Sequence, residues 1–174
     1  MFAEHYTTTV GPIEITVAPS AYPPCNVEVI VEEQDTSLLL GETRVIQDTV
    51  ESYDALIGKM QLHTPLVPGQ VLIKHTTPRR FIAIIYAINR RPICRQEWIA
   101  TALARLLREM ETYQTRNIAM PLLGVTHGHF PGMEFMQLLC ATLPAVQNYP
   151  EKIWLITPMA EYRHIIRFLE DLRV

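Results

Sequence analysis

The sequence predicts a layered α/β domain in which helices cover both faces of a sheet. Segments rich in β-branched residues alternate with segments of helical spacing along the last two-thirds of the chain, and this alternation is typical of such folds. One strand segment, Phe81–Ala87, is apolar at almost every position. That pattern indicates a strand buried on both faces, near the centre of a parallel or mixed sheet.

Length, composition and charge narrow the class of protein. The chain has 174 residues, of which 48% are hydrophobic and 19% are charged, so we expect one domain spanning 1–174. A net charge of −3 and a pI near 6.1 argue against a nucleic-acid-binding surface. Three cysteines without close spacing favour neither a disulfide framework nor a zinc knuckle, and a reducing, cytoplasmic setting is expected. We expect no membrane span, because no apolar stretch has the required length.

The first third of the chain predicts two strands and a helix. Ile13–Val17 alternates apolar and polar residues, and Val27–Val31 is dense in β-branched side chains. The connector between them contains Pro23 and Pro24, which exclude a helix, and we expect the first strand to lie at an edge of the sheet. Apolar residues at helical spacing then predict an amphipathic helix over Thr43–Lys59.

A strand–helix–strand unit forms the centre of the predicted fold. Strands over Val71–Lys74 and Phe81–Ala87 precede the strongest helix pattern, whose apolar stripe consists of Ile99, Ala102, Leu103, Leu106 and Met110. This helix leads into a strand over Ile118–Leu122, so we expect a right-handed βαβ crossover. The remaining elements predicted are a helix over Met133–Leu143, a strand over Lys152–Thr157 and a helix over Met159–Leu172.

The stretch Asn117–Gly132, NIAMPLLGVTHGHFPG, is the strongest candidate for a binding site. It predicts a buried strand, a loop over Gly124–Pro131 and a helix start, and ligands of α/β folds bind where loops meet the carboxyl ends of strands. Gly124 and Gly128 allow backbone conformations that bring N–H groups close to an anion such as a diphosphate. A plain tight turn explains two glycines equally well, so both interpretations remain open.

The other loop residues offer polar and aromatic groups. Thr126 adds a hydroxyl, and Phe130 is suited to pack against a sugar or base. The His127–His129 pair is compatible with two metal ligands, but the third ligand that zinc requires is missing nearby. Either histidine is chemically suited to act as a general base, yet no nucleophile lies beside it in the sequence. We therefore predict no catalytic residue, no metal and no cofactor.

Two further features have alternative interpretations. Cys94 precedes a helix, where a thiol pKa is lowered, whereas burial as a small apolar residue is the alternative. An acidic cluster of Glu32, Glu33 and Asp35 follows the second strand. It is either a solvated strand end or part of a ligand groove, where its charge would repel a diphosphate.

Four segments carry a family resemblance. LVPGQVLIKH, FIAIIYAINRRP and EWIATALARLLREME give a turn, a central strand ending near a proline, and a long helix. IAMPLLGVTHGHFP then gives a strand, a proline and a glycine-containing turn that ends in an aromatic residue. Over about Val67–Leu172 these segments resemble the macro domain, the α/β module best known for binding ADP-ribose.

The resemblance implies a three-layer α/β/α fold with a mixed, largely parallel sheet. It also implies that the loop lines the diphosphate and distal-ribose site, with His127 and His129 standing where the family more often has small or apolar residues. The ligand-binding residues predicted in this way are Gly124, Val125, Thr126, His127, Gly128, His129 and Phe130.

Other segments depart from the family pattern. ITVAPSAY lacks the acidic residue that reads adenine, and WLITPMAEY lacks the usual aromatic residue. VEVIVEEQDTSLLLGET has Glu32, Glu33 and Gln34 in place of an asparagine-containing segment, and only Gly41 for the first glycine-rich loop. The groups used by hydrolytic members are therefore missing.

The function expected is binding of ADP-ribose or a related nucleotide or phosphate-containing ligand by a divergent macro-like domain, without catalysis. One alternative is a degenerate macro fold that acts as a protein interaction module. A further alternative, hydrolysis of ADP-ribose derivatives, depends on His127 and His129 alone.

Overall fold

The computed structural model describes residues 5–40 and 65–172. Seven strands lie in these ranges: β1 (Tyr6–Val10), β2 (Ile13–Pro19), β3 (Val29–Asp35), β4 (Val71–Lys74), β5 (Arg79–Tyr86), β6 (Asn117–Pro121) and β7 (Lys152–Thr157). Four α-helices accompany them: α1 (Gln96–Thr112), α2 (Val125–Gly128), α3 (Gly132–Thr142) and α4 (Met159–Asp171). A single 3₁₀ turn, Leu143–Ala145, follows α3.

The strands form one sheet in the order β1-β2-β7-β6-β3-β5-β4. The five inner strands are parallel to one another, whereas β1 and β4 pair antiparallel at the two edges. The predicted mixed, largely parallel sheet is confirmed. Because β3, β5 and β6 are parallel neighbours, their carboxyl ends lie side by side, and the loops that follow these strands are brought together there.

The prediction that Ile13–Val17 lies at an edge is wrong. This segment belongs to β2, which pairs with β7 on one side and with β1 on the other. The sequence of β1, YTTTV, contains three threonines and little apolar alternation. A strand whose outer side faces water needs few apolar residues, and for that reason it escaped prediction.

Burial alternates along β2 as the sequence predicts. Ile13, Ile15 and Val17 are fully buried, whereas Glu14 and Thr16 are partly exposed. In β5, by contrast, every residue from Phe81 to Tyr86 is buried. Both faces of the sheet are therefore covered at β5, as the apolar run predicts for a three-layer fold.

The long helix α1 buries the stripe that its spacing predicts. Ile99, Ala102, Leu103, Leu106 and Met110 are all buried, and they join one hydrophobic cluster with the helix-facing residues of the sheet. Helix α1 packs on β5, α4 packs on β2, and α3 contacts both helices. Since β3 lies between β5 and β6, the β5–α1–β6 connection passes over one strand.

The remaining predicted elements agree with the structure to within a few residues, apart from two points. The second strand runs on from Val29 to Asp35 instead of ending at Val31, so the acidic cluster lies within it. The helix predicted over Thr43–Lys59 falls outside the described residues. Among the described helices, none is long and apolar enough to cross a membrane.

Candidate functional site

The predicted binding loop is a compact turn closed by its own backbone. Gly124 has φ 85° and His129 has φ 51°, and the one-turn helix α2 lies between them. The carbonyl of Gly124 accepts hydrogen bonds from the N–H groups of Gly128, at 3.1 Å, and Phe130, at 3.0 Å. We call Gly124–Phe130 the glycine loop. It begins three residues after β6 ends and leads into α3.

Both glycines are required by packing against the core. A Cβ atom at Gly124 would lie 2.6 Å from Cδ1 of Ile99 and 2.9 Å from Cβ of Phe130. A Cβ atom at Gly128 would lie 2.6 Å from Cβ of Cys94. Real Cβ atoms do not approach other atoms so closely, so no side chain fits at either position. The glycines are thus explained by close packing of the loop on the core, whether or not the loop also binds an anion.

A carboxylate from β3 holds the start of the glycine loop. The N–H group of Gly124 donates a hydrogen bond of 2.6 Å to Oε1 of Glu33. The contact joins residues that are 91 positions apart in the sequence, and it is short as charge-assisted hydrogen bonds are. Glu33 lies on the same face of β3 as the buried Val31, since side chains alternate along a strand. Glu33 therefore connects the start of the loop to β3 through this hydrogen bond.

Two protonated groups lie close to this carboxylate. Tyr86 is fully buried, and burial followed by the nearby charge of Glu33 raises the pKa of its hydroxyl. Burial raises the pKa of the Cys94 thiol to about 12, and the charge of Glu33 adds to the increase. At neutral pH both groups stay neutral. The interpretation of Cys94 as a small buried residue is therefore the better one, and its thiol is a poor nucleophile.

A second carboxylate organises the turn after β3. Asp35 is fully buried, and its two oxygens accept hydrogen bonds from the N–H groups of Ser37, Leu39 and Leu40, at 2.7, 2.8 and 2.8 Å. We call Asp35–Leu40 the Asp35 turn. The interpretation of the acidic cluster as a solvated strand end is wrong for Asp35, because its charge is satisfied by the backbone inside the protein.

Glu32, the remaining carboxylate of the cluster, has a separate role. It lies on the face of β3 opposite Glu33 and pairs with Arg80 of β5 at 2.8 Å. In the sequence the three carboxylates form one cluster, whereas in the structure each has different partners: Arg80 for Glu32, the N–H of Gly124 for Glu33, and the backbone of the following turn for Asp35. Side-chain alternation along the strand separates Glu32 from Glu33. It does not separate Glu33 from Asp35, and the register of the strand shifts between Gln34 and Asp35.

The predicted site residues fall into two groups by exposure. Thr126, His127 and His129 are exposed, whereas Val125, Gly128 and Phe130 are half-buried and Gly124 is buried. The ring of His127 also meets Tyr86 edge-on, with 5.8 Å between the ring centroids. The exposed side chains of the loop are thus those of Thr126, His127 and His129.

The helix that follows the loop begins beside another carboxylate. A Cβ atom at Gly132, the first residue of α3, would lie 2.7 Å from Oε2 of Glu161. A negative charge at a helix N-terminus is favourable, so Glu161 of α4 complements α3. In the part of the chain that the structure describes, no group of three or more His, Cys, Asp or Glu residues is placed to hold a metal ion.

Comparison with known proteins identifies the architecture. No family model and no curated protein matches the sequence. Among solved structures, the Oceanobacillus iheyensis macrodomain with ADP matches with a TM-score of 0.70 at 13% identity, covering 96% of this chain and 97% of that chain. The chain has the macrodomain fold. A mutant of the same bacterial macrodomain with ADPR gives a TM-score of 0.67 at 13% identity, over 96% of this chain and 99% of the other.

A more distant bacterial macrodomain has higher sequence identity. The macrodomain of Thermus aquaticus DarG matches with a TM-score of 0.57 at 21% identity, over 77% of this chain and 91% of that chain. The sequence resemblance begins near Val67, but the structural likeness to the Oceanobacillus macrodomain covers 96% of the chain and so extends to described strands before Val67. The macrodomain fold therefore accounts for β2 and β3, whose sequences depart from the family pattern.

Proposed function

We propose that this chain binds ADP-ribose or a related nucleotide through the glycine loop, without catalysis. The observation that carries this proposal is the position of the loop. It follows the carboxyl end of an inner parallel strand, and its exposed residues carry a hydroxyl and two imidazoles. Macrodomains of the same fold have been crystallised with ADP and with ADPR, which supports a nucleotide as the ligand.

The exposed residues suit the polar parts of such a ligand. The hydroxyl of Thr126 both donates and accepts, and neutral imidazole does the same through its two nitrogens. Phe130 is half-buried and packs against the core, so its ring is only partly accessible. We therefore assign binding to Thr126, His127 and His129, and shape to the glycines and Phe130.

Two features support binding without turnover, and a third concerns the compartment. The buried thiol of Cys94 has a raised pKa and remains protonated at neutral pH. His127 and His129 are exposed on the loop. The thiol packed under that loop, Cys94, is buried and protonated and so is a poor nucleophile, and a base without a placed nucleophile is only a titratable group. The three cysteines are unpaired, which fits the reducing, cytoplasmic setting that we propose for this activity.

Calorimetric titration with ADP-ribose tests the proposal. The double variant T126A/H129A removes two exposed polar side chains and should lower affinity about three- to tenfold, the range expected for one or two lost hydrogen bonds. H164A is the matched control, because His164 is exposed on α4, away from the loop in sequence. A folded wild-type protein that gives no heat at millimolar ADP-ribose would overturn the proposal, as would equal affinity for wild type and double variant.

A protein interaction module is the second candidate, and the internal carboxylates favour it. Glu33 already accepts the N–H of Gly124, and Asp35 accepts three N–H groups after β3. Backbone donors on both loops are thus used within the chain. If no nucleotide binds, this candidate becomes the better one, and removal of His127 and His129 should then have no effect on any ligand titration.

A further inference from the structure

Backbone donors of the glycine loop are largely used within the chain. The N–H groups of four loop residues already have acceptors: Gly124 donates to Glu33, Val125 donates to the carbonyl of Leu122, and Gly128 and Phe130 both donate to the carbonyl of Gly124. A diphosphate bound at this loop therefore depends on side chains for much of its stabilisation.

The positive charge that the loop can offer depends on protonation. The segment Gly124–Phe130 contains no lysine or arginine, and its titratable side chains are those of His127 and His129. Both are exposed, and within residues 5–40 and 65–172 neither forms a salt bridge. Imidazole titrates near pH 6.5 in model peptides. Lowering the pH from 7.5 to 5.5 therefore adds positive charge to the exposed side of the loop.

A bound diphosphate responds to this charge. The two phosphates of ADP-ribose are diesters and stay ionised at both pH values, and a negative charge beside an imidazole favours its protonated form. An imidazole that contacts the phosphates therefore has a higher pKa in the complex than in the free protein, and binding takes up protons. By linkage, the gain in affinity is fully present below the pKa of the free protein and is lost as the pH rises through the pKa of the complex.

We infer that His127 and His129 couple nucleotide binding to proton uptake, so that the glycine loop binds phosphate-containing ligands more tightly at mildly acidic pH. The inference rests on the nucleotide binding proposed above. An exposed pair of opposite charges changes affinity by about two- to fivefold. The two histidines together should therefore strengthen binding of ADP-ribose about three- to tenfold between pH 7.5 and pH 5.5.

Two other titratable groups contact the loop and do not respond in this range. The ring of Tyr86 meets His127 edge-on, with 5.8 Å between the ring centroids, and Cys94 packs against Gly128. Burial raises the pKa of the Tyr86 hydroxyl and that of the Cys94 thiol, the latter to about 12. Both groups therefore stay protonated between pH 5.5 and pH 7.5.

The elements that adjoin the loop also carry carboxylates and a guanidinium group. In the described part of the chain these are Glu33 of β3, Arg95 and Glu97 at the start of α1, Glu134 in the first turn of α3, and Glu161 of α4. The guanidinium group stays charged at every pH used. A variant without the two imidazoles shows whether the carboxylates contribute to the pH dependence.

The variant H127Q/H129N removes the imidazoles and keeps hydrogen-bonding groups in their place. Side-chain amides both donate and accept hydrogen bonds but do not ionise near neutral pH. Asparagine is chosen at position 129 because His129 has φ 51°, a conformation that asparagine tolerates. H164Q is the matched control, because it removes an exposed imidazole from α4.

The experiment is calorimetric titration with ADP-ribose and with adenosine at pH 7.5, 6.5 and 5.5 and one ionic strength. At pH 6.5 the titration is repeated in two buffers of different ionisation enthalpy, which measures proton uptake. Wild type should bind ADP-ribose about three- to tenfold more tightly at pH 5.5 than at pH 7.5 and take up roughly half a proton at pH 6.5. H164Q should behave as wild type does.

The double variant H127Q/H129N should lose both the pH dependence and the proton uptake. If it does not fold, the single variants H127Q and H129N should each lose part of them. Adenosine carries no phosphate, so its affinity should not change with pH in any of these proteins.

The possible outcomes separate this inference from the proposed function. Wild type that binds ADP-ribose with the same affinity at all three pH values overturns the proton coupling and leaves nucleotide binding intact. The same pH dependence in wild type and H127Q/H129N, or for ADP-ribose and adenosine, also overturns it, since another group or a change of loop shape would then be responsible. Binding at pH 5.5 but not at pH 7.5 supports both proposals. Absence of binding at every pH overturns the proposed function, and the inference with it.

Discussion

The Asp35 turn and the glycine loop both lie at the carboxyl ends of the inner parallel strands, and they are stabilised in opposite ways. In the Asp35 turn a single side chain organises the backbone, because three N–H groups converge on one buried carboxylate. In the glycine loop the backbone closes on itself through the carbonyl of Gly124, and the N–H group of Gly124 donates a hydrogen bond to Glu33 on a distant strand.

This difference decides which changes each loop tolerates. A turn that depends on one carboxylate fails when that carboxylate is removed, whereas its other side chains are replaceable. A loop that depends on close backbone approach fails when any side chain is added. The two loops can therefore be disrupted independently, and four substitution sets test whether the distinction holds.

The largest effect is expected at Asp35. D35A leaves three N–H groups without their acceptor and opens a cavity at a fully buried position, which should cost about 3 kcal/mol or more of unfolding free energy. D35N keeps one acceptor oxygen and should cost roughly half as much. Urea unfolding of both variants measures these losses. Equal stability of D35A and wild type would show that the turn does not depend on its carboxylate.

The next effect concerns the added methyl group in G124A. Gly124 has φ +85°, and a Cβ there would lie 2.6 Å from Cδ1 of Ile99, so we expect a loss of about 2 to 4 kcal/mol from strain and overpacking together. I99V removes that Cδ1 atom. The double variant G124A/I99V should therefore be more stable than the sum of the single effects predicts, by about 1 kcal/mol. Simple additivity in the urea data would mean that the cost arises from the backbone conformation and the contact with Phe130, and not from the contact with Ile99.

The pH dependence of stability tests the packing of Cys94 under the glycine loop. Its pKa is raised to about 12 in the folded state, against about 8.5 for an unfolded-state thiol. The folded state therefore holds the proton more tightly, and the contribution is fully present below pH 8.5 and is lost as the pH rises towards 12.

The measurement compares wild type and C94A by urea unfolding at pH 7 and pH 9.5. Wild type should lose about 1 kcal/mol more than C94A between these values. C25A is the control, because Cys25 is exposed, and it should lose as much as wild type. A loss in C94A equal to that in wild type would mean that the thiol is accessible to solvent, and that the glycine loop does not seal it.

The sequence was sufficient for the elements with strong periodicity and insufficient for contacts between distant residues. The all-apolar run Phe81–Ala87 and the stripe of α1 predicted a buried strand and a core-facing helix, and both are confirmed. The edge strand β1 and the continuation of β3 to Asp35 were missed, because both are made mostly of polar residues and so carry no apolar periodic signal.

The candidate site shows the same division. The position of the glycine loop followed from local features, a strand, two glycines and a helix start. The hydrogen bond between Glu33 and Gly124 joins residues 91 positions apart, and no local sequence pattern predicts such a pairing. Assignment of Gly124–Phe130 as ligand-binding residues remains a prediction. The structure adds that their glycines are needed for packing in any case, so glycine spacing alone is weak support for an anion site.

The smallest change in stability is expected at two residues with positive φ, one in each loop. His129 has φ 51° and Leu38 has φ 57°, a conformation that glycine adopts without the steric cost paid by other residues. H129G and L38G should each gain about 0.5 kcal/mol in unfolding free energy, after allowance for the greater entropy of glycine in the unfolded chain. Both side chains are exposed, with Leu38 at 50%, so little packing is lost. A gain in L38G together with a loss in H129G would show that the His129 side chain stabilises its loop. The glycine loop would then depend on a side chain, as the Asp35 turn does.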